Sequence, residues 1–81
     1  MEAKYHEEEQ NAPIALSTHE GQEFDYILEG SLKVQLEGYT ELLREGDSIY
    51  YDSGHPHGMI AVDGKPCKFL AIVMKKEREE N

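Results

Sequence analysis

Six of the seven glycines, at positions 21, 30, 38, 46, 54 and 64, cut the middle of this chain into short runs. Each run falls short of the ~10–12 residues that mark an ordinary helix, and most are rich in β-branched, aromatic or alternating apolar residues. Phe24 to Leu28 is such a run, and in Ser31 to Glu37 the residues Leu32, Val34 and Leu36 alternate strictly with polar ones. That alternation is the pattern of a strand with one buried face. Tyr39 to Leu43, Ser48 to Tyr51, His57 to Val62 and Pro66 to Met74 continue the series, the last being the most apolar, with Asp63-Gly64 as a hairpin signal before it. Upstream, Ala3 to His6 reads as a short strand before a charged turn, and Asn11-Ala12-Pro13 as a turn into a strand from Ile14 to His19. No stretch reads as a helix. Seven or eight short strands with turns between them imply an all-β sandwich or barrel. Residues 1–74 read as one domain and 75–81 as a charged tail.

Chemistry concentrates around the first of these glycines, in Ser17-Thr18-His19-Glu20-Gly21-Gln22-Glu23. His19 and Glu23 are good metal ligands when deprotonated. On a straight strand they would share a face but lie roughly 13 Å apart, too far for one ion. A helix would bring them together, but Gly21 and the β-rich flanks oppose one. A tight turn at residues 20–22 lets both side chains meet, with His19 ending one strand and Glu23 beginning the next. A third ligand is available in Gly54-His55-Pro56-His57. Two histidines and a carboxylate form a site type for Fe(II) and related divalent metals. The same three residues also suit a hydrogen-bonded polar cluster without an ion.

The spacing of these residues resembles the two motifs of the cupin superfamily, small barrels of the double-stranded β-helix or jelly-roll type. The first family motif is His-x-His, three or four residues, Glu, six residues, Gly. His19, Glu23 and Gly30 match it, with Ser17 where the first histidine would stand. The second is Gly, five residues, Pro-x-Gly, two residues, His, three residues, Asn. Gly46, Gly54 and His57 match it, with Asp52 in place of the proline and Ala61 in place of the asparagine. The resemblance implies a metal held by His19, Glu23 and His57, with Fe, Mn, Ni or Zn as the candidate ions.

Further candidates for ligand contact are Ser17, Asp25, His55 and Met59. Asp25 shares strand parity with Glu23, and Met59 shares it with His57. His55 neighbours Pro56 in a loop, where a solvated side chain is the simpler reading. Tyr50 and Tyr51 must face opposite sides, and parity alone does not say which lines the interior.

The wording of His19-Glu-Gly-Gln-Glu-Phe24, Tyr26-Ile-Leu-Glu-Gly30 and Gly46-Asp-Ser-Ile-Tyr-Tyr-Asp-Ser53 is similar to the C-terminal cupin domain of bacterial helix-turn-helix regulators of the XRE type. This resemblance implies a small-molecule sensor separated from its DNA-binding part. A related class, the phosphonate epoxidases, holds mononuclear iron by His, Glu and His, so a small metal-dependent oxygenase or isomerase is the second expectation.

Composition sets the outer limits. A chain of 81 residues makes at most one domain, and one this small buries only about 60% of its unfolded surface. With 38% hydrophobic residues the core is thin, so a homodimer that covers more of it is expected. The formal net charge of −9 opposes direct contact with nucleic acid or an anionic membrane. A single cysteine, Cys67, rules out an intrachain disulfide and fits a reducing cytoplasm.

Overall fold

Two antiparallel sheets face each other across one apolar layer. The structure, a computed structural model, describes residues 1–75. Its strands are β1 (Glu2–Ala3), β2 (Gln22–Glu29), β3 (Ser31–Leu36), β4 (Tyr39–Leu43), β5 (Ser48–Asp52), β6 (His57–Val62) and β7 (Cys67–Met74). One sheet has the order β1-β7-β2-β5 and the other β4-β3-β6. The architecture is the all-β one that the glycine-spaced runs imply.

Strand alternation builds the core. On β3, Leu32 and Val34 are fully buried and Leu36 nearly so, while Lys33 and Gln35 point away. They pack against Ile27, Tyr51, Cys67 and Phe69 of the opposite sheet, with Leu43 and Ala61 closing the layer. Burial pushes the Cys67 thiol pKa up, so it behaves as a small apolar side chain rather than a thiolate. At Gly30 the chain turns from β2 to β3 with φ +84°, and a Cβ there would run into the Pro66 carbonyl.

The N-terminal third departs from the sequence reading. The strand expected over Ala3 to His6 is reduced to Glu2–Ala3, paired with Lys68 and Cys67 of β7. The charged turn after it is a single 3-10 turn, Glu7–Glu9, closed by Glu9 N–H to the His6 carbonyl at 3.1 Å. Gln10 then anchors the segment by donating its Nε2 to the Ala61 carbonyl at 3.0 Å. The strand expected from Ile14 to His19 is absent; a lone bridge between Ser17 and His57 remains. The segment meets β6 through that one antiparallel bridge and lies close against it: a Cβ on Gly58 would strike the Ala15 carbonyl. The tail at 75–81 lies, apart from Lys75, outside the described residues. No helix among the described residues is long and apolar enough to cross a membrane.

Candidate metal centre

Backbone hydrogen bonds bring the first histidine to its partners. Ser17 and His57 exchange a reciprocal pair at 2.9 and 3.0 Å, the His19 N–H reaches the Ser53 carbonyl at 2.9 Å, and the Ser53 N–H reaches the Gly21 carbonyl at 2.9 Å. The segment 17–21 is thereby laced to the loop before β6. Gly21 has φ +106°, and a Cβ there would collide with the Met74 carbonyl, so only glycine lets the chain turn this tightly against the end of β7. Glu23 then points inward from the start of β2 and His57 from the start of β6, while His19 reaches over from the loop.

One ligand atom from each of His19, Glu23 and His57 lies within 4.8 Å of the other two. Glu23 and His57 are buried, and His19 forms the solvent side. The two imidazoles meet edge to face, with centroids 4.9 Å apart and planes at 81°. His19 Nε2 lies 3.6 Å from Glu23 Oε1, beyond hydrogen-bond length. The three donors converge without satisfying one another, and this is where a pure polar cluster fits poorly and a cation fits well.

Neighbouring groups orient the ligands. His57 Nδ1 lies 2.8 Å from the His55 carbonyl. A carbonyl only accepts, so Nδ1 carries the proton and Nε2 keeps its lone pair free. The Tyr51 hydroxyl donates to Glu23 Oε2 at 2.8 Å, which leaves Oε1 on the His19 side. Burial, and then the Glu23 carboxylate, push the Tyr51 pKa well above the ordinary phenol value, so it remains a donor. Such outer partners fix ligand orientation in metal sites generally. The donor set of two imidazoles and one carboxylate suits Fe(II), Mn(II), Ni(II) or Zn(II) and would leave coordination positions open. It is too poor in oxygen for calcium.

Tyr51 is the site residue that parity could not select. The pairing of Glu23 with Tyr51 across β2 and β5 turns Tyr51 inward, while Tyr50 faces out and donates to Gln22 Oε1 at 2.7 Å. Only the strand register carries that information.

A cavity of about 360 Å³ opens beside the three ligands. Ser17 and Met59 line it, together with Phe69, Ala71 and Val73. Asp25 does not: it is fully buried between the sheets, and neither carboxylate oxygen has a hydrogen-bond partner. Burial first, then the adjacent Glu23 carboxylate, raise its pKa to about 8, so Asp25 is mostly protonated at neutral pH and adds little charge beside Glu23. His55 is also displaced from the site. Its ring faces a different cavity, 3.5 Å from Glu37 Oε2, and its backbone carbonyl is what serves the centre.

A family model described as the cupin domain matches residues 2–73. Comparison with curated proteins finds no match. Among solved structures, the chain is similar to a conserved protein of unknown function from Streptococcus pyogenes, at 26% identity and TM-score 0.71 over 80% of this chain and 55% of that one. It is similar to hydroxypropylphosphonic acid epoxidase from S. wedmorenis in complex with fosfomycin, at 23% identity and TM-score 0.75 over 90% and 40%, a likeness of fold alone. An iron(II) form of HppE matches at 27% identity and TM-score 0.68 over 75% and 34%. The chain thus spans about half or less of each of these proteins. The family match runs through both glycine-punctuated motifs and nearly all of the described strands, and on it the chain belongs to the cupin family.

Proposed function

We propose that this cupin is a small-molecule sensing domain of a bacterial transcriptional regulator, with a divalent transition metal as part of its ligand site. The observation that carries the reading is the convergence of His19, Glu23 and His57 at the edge of a small, mostly apolar cavity. A bound ion would act there as a Lewis acid that anchors a carboxylate or similar oxygen group. Met59, Ala71 and Val73 would hold the apolar body of the effector, and Ser17 would offer it a hydrogen bond. The regulator assignment is supported by the sequence resemblance of residues 17–53. The charge of −9 supports a reading in which this domain does not itself contact DNA.

A second reading, a mononuclear-metal enzyme, is favoured by the likeness to an iron(II) form of HppE. One experiment separates the two. Metal-loaded protein is incubated in air with a panel of small carboxylates and phosphonates, and melting temperature and ligand recovery are measured together. A sensor gives a raised melting temperature by linkage and full recovery of the ligand. Steady consumption that His57→Ala abolishes would overturn the sensing reading. Tight, salt-sensitive binding of duplex DNA by this chain alone would overturn it too.

A further inference from the structure

The second cavity, the one the His55 ring faces, is built differently from the metal centre. It measures about 470 Å³, within the size range of small-molecule sites. It lies where the tip of the β3–β4 hairpin approaches β5, an edge strand of the four-stranded sheet. Leu36 and Tyr51, both buried, give it an apolar floor. Tyr39 and Tyr50 line it nearer to solvent and are 54 and 59% exposed, so much of each aromatic surface is open to a ligand. The Tyr50 hydroxyl donates to Gln22 Oε1 at 2.7 Å, which limits the movement of that ring. Among the described residues, Tyr51 alone lines both cavities, and its hydroxyl is turned to Glu23 on the metal side.

Charge decides what such a cavity takes. Glu37 and Asp52 bring carboxylates to it, and among the described residues no lysine or arginine lines it. Asp52 Oδ1 accepts the Gly54 N–H at 2.8 Å, which orients the side chain and leaves Oδ2 for a ligand. An anion would meet like charges here, on a chain that already carries −9. A metal ion fits poorly, because among the described residues only His19, Glu23 and His57 converge closely enough to share one. A cation with an apolar surface matches both halves of the cavity. Tyrosine rings attract cations over their faces, and alkylated ammonium groups combine that charge with methyl groups for an apolar floor. We propose that this cavity is a binding site for an alkylated ammonium ion, separate from the metal centre. Tyr39 and Tyr50 present aromatic surface to the cation, Glu37 and Asp52 balance its charge, and Leu36 and Tyr51 receive its methyl groups.

Titration of isotope-labelled, metal-free protein with choline in the presence of chelator, followed through the backbone amide resonances, tests the proposal independently of the metal centre. Saturable shifts are expected at residues 36–39, 50–52 and 55, with a Kd of about 1 mM or below. The uncharged tert-butyl isostere of choline should produce none. Tyr39→Leu and Glu37→Gln should each weaken binding about two- to fivefold. Glu41→Gln, which removes a charge from β4 outside the cavity, should leave the affinity unchanged. All three positions are exposed, so the variants should keep the fold, and the same amide spectra verify it. An absence of saturable shifts up to about 20 mM choline would overturn the proposal. So would shifts confined to residues 17–23 and 57–59, or equal binding of the isostere. A loss in Glu41→Gln as large as that in Glu37→Gln would overturn it as well, since net charge alone would then account for the effect.

Discussion

Tyr51 and Asp25 flank the same carboxylate with opposite effects. Tyr51 holds Glu23 Oε2 by a 2.8 Å hydrogen bond, and Asp25 crowds Glu23 with a second acid that has no partner. Tyr51→Phe should leave the fold intact, cost about 1–3 kcal/mol for the lost bond to a charged acceptor, and weaken metal binding about 10–100-fold. Calorimetric titration checks this, and an unchanged affinity would remove the positioning role. For Asp25 the sign is set by a folded-state pKa raised to about 8 over an unfolded value near 4. The folded state binds the extra proton, so the contribution to stability is fully present below about pH 4 and is lost as pH rises toward 8. In metal-free protein, the stability gain from Asp25→Asn over the native residue should therefore grow between those pH values and level off above them. Urea unfolding in chelator at several pH values measures it, and a pH-independent difference would contradict the buried, protonated acid. At this scale the sequence was informative about ligands and silent about their supports. His19, Glu23 and His57 carry fixed spacings within glycine-marked motifs, whereas Tyr51 is chosen over Tyr50 by a register between strands 28 residues apart.

Among the elements, the sequence is most readable where one strand has one job. The alternation of Leu32, Val34 and Leu36 placed β3 almost to the residue, because a single buried face writes a period of two into the chain. Ile14 to His19 has the composition of a strand but directs its backbone hydrogen bonds only to residues 53 and 57, a tertiary arrangement that leaves no periodic trace. Those hydrogen bonds and the Gly21 turn are what deliver His19. Gly21→Ala combines a positive φ with a backbone collision at Met74, so it should destabilise the fold by about 1–3 kcal/mol and also lower metal affinity. Leu32→Ala empties a fully buried position remote from the ligands. It should cost about 2–5 kcal/mol while the folded fraction keeps its metal stoichiometry. Thermal melts paired with metal titration distinguish the two variants, and equal loss of affinity in both would deny Gly21 a specific role at the site.

For the whole molecule, a small core, a strongly acidic surface and one apolar sheet face all follow from the shortness of the chain and its thin apolar supply. That supply was visible in composition. Its placement on the outside of β7 was not, because a strand apolar on both faces reads like any buried strand until its neighbours are known. The proposed function turns on whether the convergent donors hold an ion, with affinity falling at low pH as protons compete for the ligand atoms. The direct measurement is anaerobic calorimetric titration of metal-free protein with Fe(II), repeated with Zn(II) and with the variants His57→Ala and Glu23→Gln. One ion per chain is predicted for the native protein, with binding lost in His57→Ala and weakened in Glu23→Gln while both remain folded. Native protein that takes up no ion, or a His57→Ala variant that takes it up equally well, would contradict the metal centre.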